Sequence, residues 1–171
     1  MRGLVMADAV DAVIAQWNKE RPDLDVWPMG VVGRLSRLSR LVEQTLKRFF
    51  AEHGLESFEF DVLATLRRSG SPYELTAGAL LKAAMVTSGA ITNRIDRMEA
   101  KGLVERIRDS EDRRSVRIRL TPEGLRLVDE LVGLHVENEI RMLSALGPAE
   151  RDQLSGLLRM LLESMGDTSL D

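Results

Sequence analysis

The chain has 171 residues, 44% of them hydrophobic but only 4% aromatic, enough for one ordinary domain with extensions around a core of Leu, Val, Ile, Met and Ala. It has no cysteine and only two histidines, His53 and His135, far apart in sequence, which excludes disulfides, thiol catalysis and Cys-ligated zinc and leaves no spacing for a dedicated transition-metal site. The net charge of −3 by itself argues weakly against a nucleic-acid partner, because such domains often have a pI above about 9.

Helical periodicity predicts a first helix over residues 6–20, with Val10, Val13, Ile14 and Trp17 on one stripe that ends before Arg21-Pro22. A turn-prone linker follows, in which Pro22 and Pro28 bracket Asp23 and Asp25. Residues 31–50 read as a strong amphipathic helix through Val31, Leu35, Leu38, Val42, Leu46 and Phe49, stopped at His53-Gly54. Ser57 is placed to cap the next helix, which carries Phe60, Leu63 and Leu66 and ends near Ser69-Gly70-Ser71-Pro72. Thr76 can cap a short helix, and Thr87 or Ser88 the one after it, which Gly102 ends. Residues 104–108 and 116–120 alternate apolar with charged side chains and predict a two-stranded hairpin tipped by Asp112, Arg113 and Arg114. Thr121-Pro122-Glu123 opens a long helix to about residue 146, Gly147-Pro148 breaks it, and residues 149–164 form the last helix. No apolar run approaches the roughly 18 residues of a membrane span, and the hydrophobic stretch at the start is too short for a secretion signal, so a cytoplasmic protein with no membrane partner is expected.

Helix, turn, helix and then an arginine-tipped ribbon is an arrangement able to read double-stranded DNA. The charge distribution agrees. Between Thr87 and Leu120 there are nine cations against six anions, a local +3, so the remainder of the chain carries −6. On the predicted recognition helix, Ile91, Ile95 and Met98 define a buried axis, with Asn93 pointing away and Thr92 and Arg97 flanking the outward face. Asn93 and Arg97 can pair with adenine and guanine edges, while Thr87, Ser88 and Thr92 can meet phosphates or a thymine methyl. Arg113 and Arg114 suit a narrow minor groove, and Asp112 is expected to orient Arg114 rather than touch DNA. Arg94 lies roughly 60–70° from the buried axis and can turn inward, where it needs an anionic partner. Asp61, an anionic ligand and a DNA phosphate all remain open as that partner.

The expected fold is mainly α with a small β-hairpin, a winged helix-turn-helix flanked by N- and C-terminal dimerisation helices. Its divisions are an N-terminal extension helix and linker (1–30), dimerisation helices (31–56 and 122–171) and a DNA-binding lobe (57–121). Four helices beyond those a lone winged helix needs carry apolar stripes that must be buried. A second copy is the favoured cover over folding back, since a two-fold dimer also matches a palindromic site.

The wing sequence, Asp112-x-Arg114 with Leu120-Thr121 after five more residues, resembles the D-x-R-x-x-x-x-x-L-T signature of the MarR family of transcriptional regulators. The helix order and TSGAITNRIDRMEAKGLVER are similar to that family too, over about residues 31–165. The resemblance implies a homodimeric repressor on a pseudo-palindromic operator, released by a small ligand. The added N-terminal helix and EFDVLATLRRSGSPYELT resemble the urate-responsive branch. That resemblance implies an effector pocket of Trp17, Asp61, Arg94 and Arg106, with a small anionic effector such as urate and no cofactor. From the residues alone, Trp17 reads as a core or interface anchor. Two other classes compete. An enzyme lacks any nucleophile–base arrangement or phosphate loop in the sequence. A winged-helix protein–protein adaptor would not need an arginine-tipped wing.

Overall fold

A computed structural model describes residues 7–83, 91–108 and 116–169, without the side chains of Ile91 and Thr92. The chain forms two compact units, residues 1–48 and 49–171.

In the first unit, α1 (Ala9–Glu20) starts at Asp8, whose carboxylate accepts the backbone N–H groups of Val10 and Asp11 at 2.8 and 3.0 Å. The Asp11 carboxylate accepts the Asp8 N–H in return, so two of the helix's orphan donors are satisfied reciprocally. The helix α2 (Trp27–Glu52) opens earlier than its apolar stripe suggests. Pro28 stands in its first turn, where a missing N–H is harmless, and not in a linker. Val10 is the buried residue of α1 and faces Gly33, where an added Cβ would lie 3.3 Å from it. Arg34 joins the two helices, with Nε 2.8 Å from the Asp8 carboxylate and Nη2 2.6 Å from that of Asp11.

The second unit contains α3 (Ser57–Arg68), β1 (Glu74–Thr76), α4 (Ala77–Ala83), α5 (Ile91–Ala100), β2 (Val104–Arg108), β3 (Val116–Leu120), α6 (Pro122–Met142) and α7 (Pro148–Ser164). The core is aliphatic, as the composition requires: Val62, Leu63, Leu66, Leu80, Ile95, Met98, Val104, Val128 and Leu131 are fully buried. Glu56, not Ser57, takes the cap position of α3, and the Glu59 carboxylate accepts the Glu56 N–H at 2.9 Å. Thr76 caps α4 as expected, its hydroxyl accepting the Ala79 N–H at 3.1 Å. The caps assigned to Thr87 and Ser88 lie outside the described residues.

The hairpin is part of a three-stranded antiparallel sheet, ordered β1-β3-β2. Strand β1, which the sequence reading missed, pairs Glu74 with Arg119 and Leu75 with Ile118. Three residues are too few to show alternation, and the partner is more than forty residues away in the chain. The turn before it places Tyr73 at φ 61°, with its carbonyl accepting the Leu120 N–H at 3.2 Å. Gly102 ends the α5 segment at φ 71°, a left-handed conformation glycine adopts freely. Thr121 then starts α6. Its hydroxyl donates to the Gly102 carbonyl at 2.6 Å and accepts the Gly124 N–H at 3.0 Å. An added Cβ at Gly124 would sit 2.0 Å from the Leu103 carbonyl oxygen, so the first turn of α6 lies directly on the turn between α5 and β2. The long helix stops at Met142, short of residue 146, and a turn leads into α7.

Candidate nucleic-acid interface

The sequence of α5 dictates which way it faces. Ile95 and Met98 are buried, while Asn93, Asp96, Arg97 and Ala100 are exposed, so the polar edge predicted to read DNA is turned outward. Three cations on and just past this helix, Arg94, Arg97 and Lys101, share an i, i+3, i+7 edge, and all three meet the start of α3. The Arg94 guanidinium lies over the Phe58 ring, 4.6 Å from its centroid. The Arg97 Nη1 is 3.0 Å from the Glu56 carboxylate. Lys101 Nζ is 2.7 Å from the Glu59 carboxylate and donates to the Gly54 carbonyl at 3.3 Å.

These contacts differ in strength. The Glu59 side chain is only 5% exposed, so removing Lys101 would leave a buried carboxylate that keeps the Glu56 N–H but loses its cation, a larger loss than at an exposed pair. Arg97 and Glu56 are more than half exposed, and such a pair contributes about 0–1 kcal/mol. The recognition helix is therefore pinned at its C-terminal end and lightly held one turn earlier.

Across the sheet, Arg106 of β2 reaches back to α5. Its guanidinium pairs with Asp96 at 2.6 Å and with Glu99, whose carboxylate also accepts the Arg106 N–H at 3.2 Å. Burial works against the charge of Arg106, but the two carboxylates outweigh it and hold the guanidinium above its ordinary pKa. Arg119 is likewise engaged, 2.9 Å from Glu105 directly across the β2–β3 ladder. The tip residues Asp112, Arg113 and Arg114 lie outside the described residues, as do Thr87, Ser88 and the side chain of Thr92.

Of the four residues implied as an effector pocket, Arg106 pairs with Asp96 and Glu99, and Arg94 stacks on Phe58. Trp17 belongs to the first unit, and its side chain is exposed. Asp61 is half-buried on α3, and burial raises its carboxyl above the ordinary value of 3.8, with His135 opposing the shift. Among the described residues no ion pair joins Asp61 to Arg94, and the Arg94 guanidinium stacks on Phe58. His135 sits among Phe49, Phe50 and Phe60, 4.8 Å from the Phe60 centroid and 3.3 Å from the Glu139 carboxylate. Sequence reasoning missed Glu56, Phe58 and Glu59. A signal for the two acids was the i, i+3 pair at 56 and 59, close in spacing to the i, i+4 cations Arg97 and Lys101 that meet them; Phe58 carried none.

A short helix, a second helix with an exposed polar face and a three-stranded wing behind it define a winged helix-turn-helix, the DNA-binding architecture. The sequence profile of the MarR family matches residues 55–116. The transcriptional regulator PecS of Dickeya dadantii is 44% identical over 149 residues, covering 87% of this chain and 90% of PecS. The chain belongs to the MarR family, and it is a DNA-binding transcriptional regulator. Its fold is that of AbsC, a MarR family regulator from Streptomyces coelicolor, with a TM-score of 0.74 at 23% identity, covering 85% of this chain and 98% of AbsC. It is also similar to Bordetella bronchiseptica BpsR, whose DNA binding is regulated by 6-hydroxynicotinic acid, with a TM-score of 0.63 at 29% identity over 75% of this chain and 98% of BpsR. Among the described residues, no helix is long and apolar enough to cross a membrane.

Proposed function

We propose that the protein is a homodimeric, cytoplasmic repressor that binds a pseudo-palindromic operator and is released from it by a small anionic ligand. The observation that carries the DNA contact is the outward face of α5, with Asn93 and Arg97 exposed above buried Ile95 and Met98. Thr87, Ser88 and Thr92 join it at the phosphates, and Arg113 and Arg114 enter the minor groove with Asp112 orienting the tip. In this reading residues 57–121 are the DNA-binding lobe, 31–56 and 122–171 the dimerisation helices, and 1–30 an N-terminal extension.

The effector reading assigns Trp17, Asp61, Arg94 and Arg106 to the ligand. The arginines can pair with an anion, and an indole ring such as that of Trp17 can stack on a flat one. Arg94 and Arg106 both bear on the recognition helix, one from within it and one through Asp96 and Glu99, so an anion drawing on either would bias its placement. Urate is the example suggested by the family branch, and the action of 6-hydroxynicotinic acid on BpsR supports a heteroaromatic anion as the class.

The test is a titration of the protein against a fluorescent duplex from the region upstream of its own gene, across a range of salt, with and without urate or 6-hydroxynicotinate. The expected result is saturable binding that weakens steeply with salt and is abolished by one ligand. Binding that neither ligand alters would discard the effector reading. Absence of binding at low salt would put the protein–protein adaptor in its place.

A further inference from the structure

We infer that Glu56 is an internal competitor for DNA, holding Arg97 in an ion pair that the duplex must displace, and thereby setting both affinity and salt dependence. The inference rests on the reading that the outward face of α5 meets DNA.

The geometry has a fixed end and an exchangeable end. At the fixed end, Lys101 grips Glu59 at 2.7 Å, and that buried carboxylate is also bonded to the Glu56 N–H. This pairing ties the end of α5 to the start of α3, with its carboxylate end buried. One turn earlier, Arg97 and Glu56 meet at 3.0 Å with both side chains more than half exposed. Arg97 can therefore leave Glu56 without disturbing the core, and a phosphate or guanine edge offers the same paired-acceptor chemistry as a carboxylate.

Glu56 opposes that exchange in two ways. It occupies Arg97 before DNA arrives, and it leaves a bare carboxylate beside the phosphates once Arg97 has moved, where like charges repel. The released carboxylate also takes up a cation from solution, which offsets part of the counterion release that drives association. Nothing in the helix start requires the charge. The Glu56 side chain makes no capping hydrogen bond, and the cap bond of α3 runs from its backbone N–H to Glu59.

The experiment compares wild type, Glu56→Gln, Arg97→Ala and the double variant on one operator duplex at several salt concentrations, with melting curves to verify folding. Glu56→Gln is expected to bind about three- to tenfold tighter than wild type. Its log–log salt slope is expected to steepen by up to about one. In the Arg97→Ala background the same change is expected to give a clearly smaller gain, because only the repulsion between the bare carboxylate and the phosphates is then relieved. Glu56→Gln binding no tighter than wild type, while wild type binds saturably, would overturn the inference and leave the DNA reading intact. An equal gain in the presence and absence of Arg97 would overturn it too, because Glu56 would then act as general charge. Wild type failing to bind any duplex would remove the DNA reading and this inference with it.

Discussion

At the scale of single residues, Asp61 gives the sharpest expectation. Its raised pKa means that the fold disfavours the charged carboxylate, mainly through burial. As pH rises from the unfolded-chain value through the higher folded value, the unfolded chain loses its proton first, and stability falls across that window. Above the window the penalty is fully present; below it there is none. Asp61→Asn is therefore expected to melt higher than wild type at neutral pH, with the gap closing as pH falls below the ordinary carboxylate range. Melting curves from neutral to acid pH check this, and a gap that does not change with pH would show that the charge of Asp61 is not what burial penalises. Arg94 illustrates the limit of residue-level reasoning. Its inward tilt is legible from helical arithmetic, but the aromatic partner it finds there, Phe58, is set by how α3 packs against α5, which no local pattern encodes.

At the scale of elements, the joint between α5, β2 and α6 decides where the recognition helix points. Alanine ordinarily favours a helix over glycine by roughly 0.5–1 kcal/mol. At Gly124 the new methyl would meet the backbone carbonyl of Leu103, which cannot swing aside as a side chain can. Overpacking of this kind costs about 1–3 kcal/mol or more, so the clash outweighs the propensity. Gly124→Ala is expected to lose about 2 kcal/mol of stability by the denaturant midpoint; a stabilised variant would mean the joint yields. Most elements were legible because their signals are local. Stripes of Leu and Val mark α2, α6 and α7, Thr76 and Thr121 announce helix starts, and strict alternation marks β2 and β3. The rest depended on distant partners. Strand β1 exists only because β3 pairs with it, and Arg97 meets Glu56 only because the start of α3 lies beside α5. The start of α2 was misread because Pro28 looks like a linker residue until it is seen in a first helical turn.

At the scale of the whole molecule, the apolar surface is larger than one chain needs. Val132, Val136, Ile140 and Leu143 form an exposed stripe along and just past α6, and Leu157, Met160, Leu161 and Met165 are exposed on and beside α7. Surfaces of this kind mark an interface, and the proposed dimer supplies the cover. Light scattering is expected to give twice the chain mass for wild type and one chain mass for a Val136→Glu/Ile140→Glu variant. That monomer is expected to lose operator binding, since a palindrome needs two recognition helices. A double variant that remains dimeric would move the interface elsewhere.

The seat of α1 has a consequence for the order in which the protein opens. One buried valine over a glycine, and one arginine shared by two half-exposed carboxylates, hold that helix to α2. Ile14 is half-buried beside Gly30, while Val13 and Trp17 remain exposed. With few apolar contacts to α2, α1 is expected to open at a lower free energy than the aliphatic core, and its amides to exchange hydrogen sooner than those of α6. A molecule that engaged the exposed Trp17 ring would then be read out first as slower hydrogen exchange along α1.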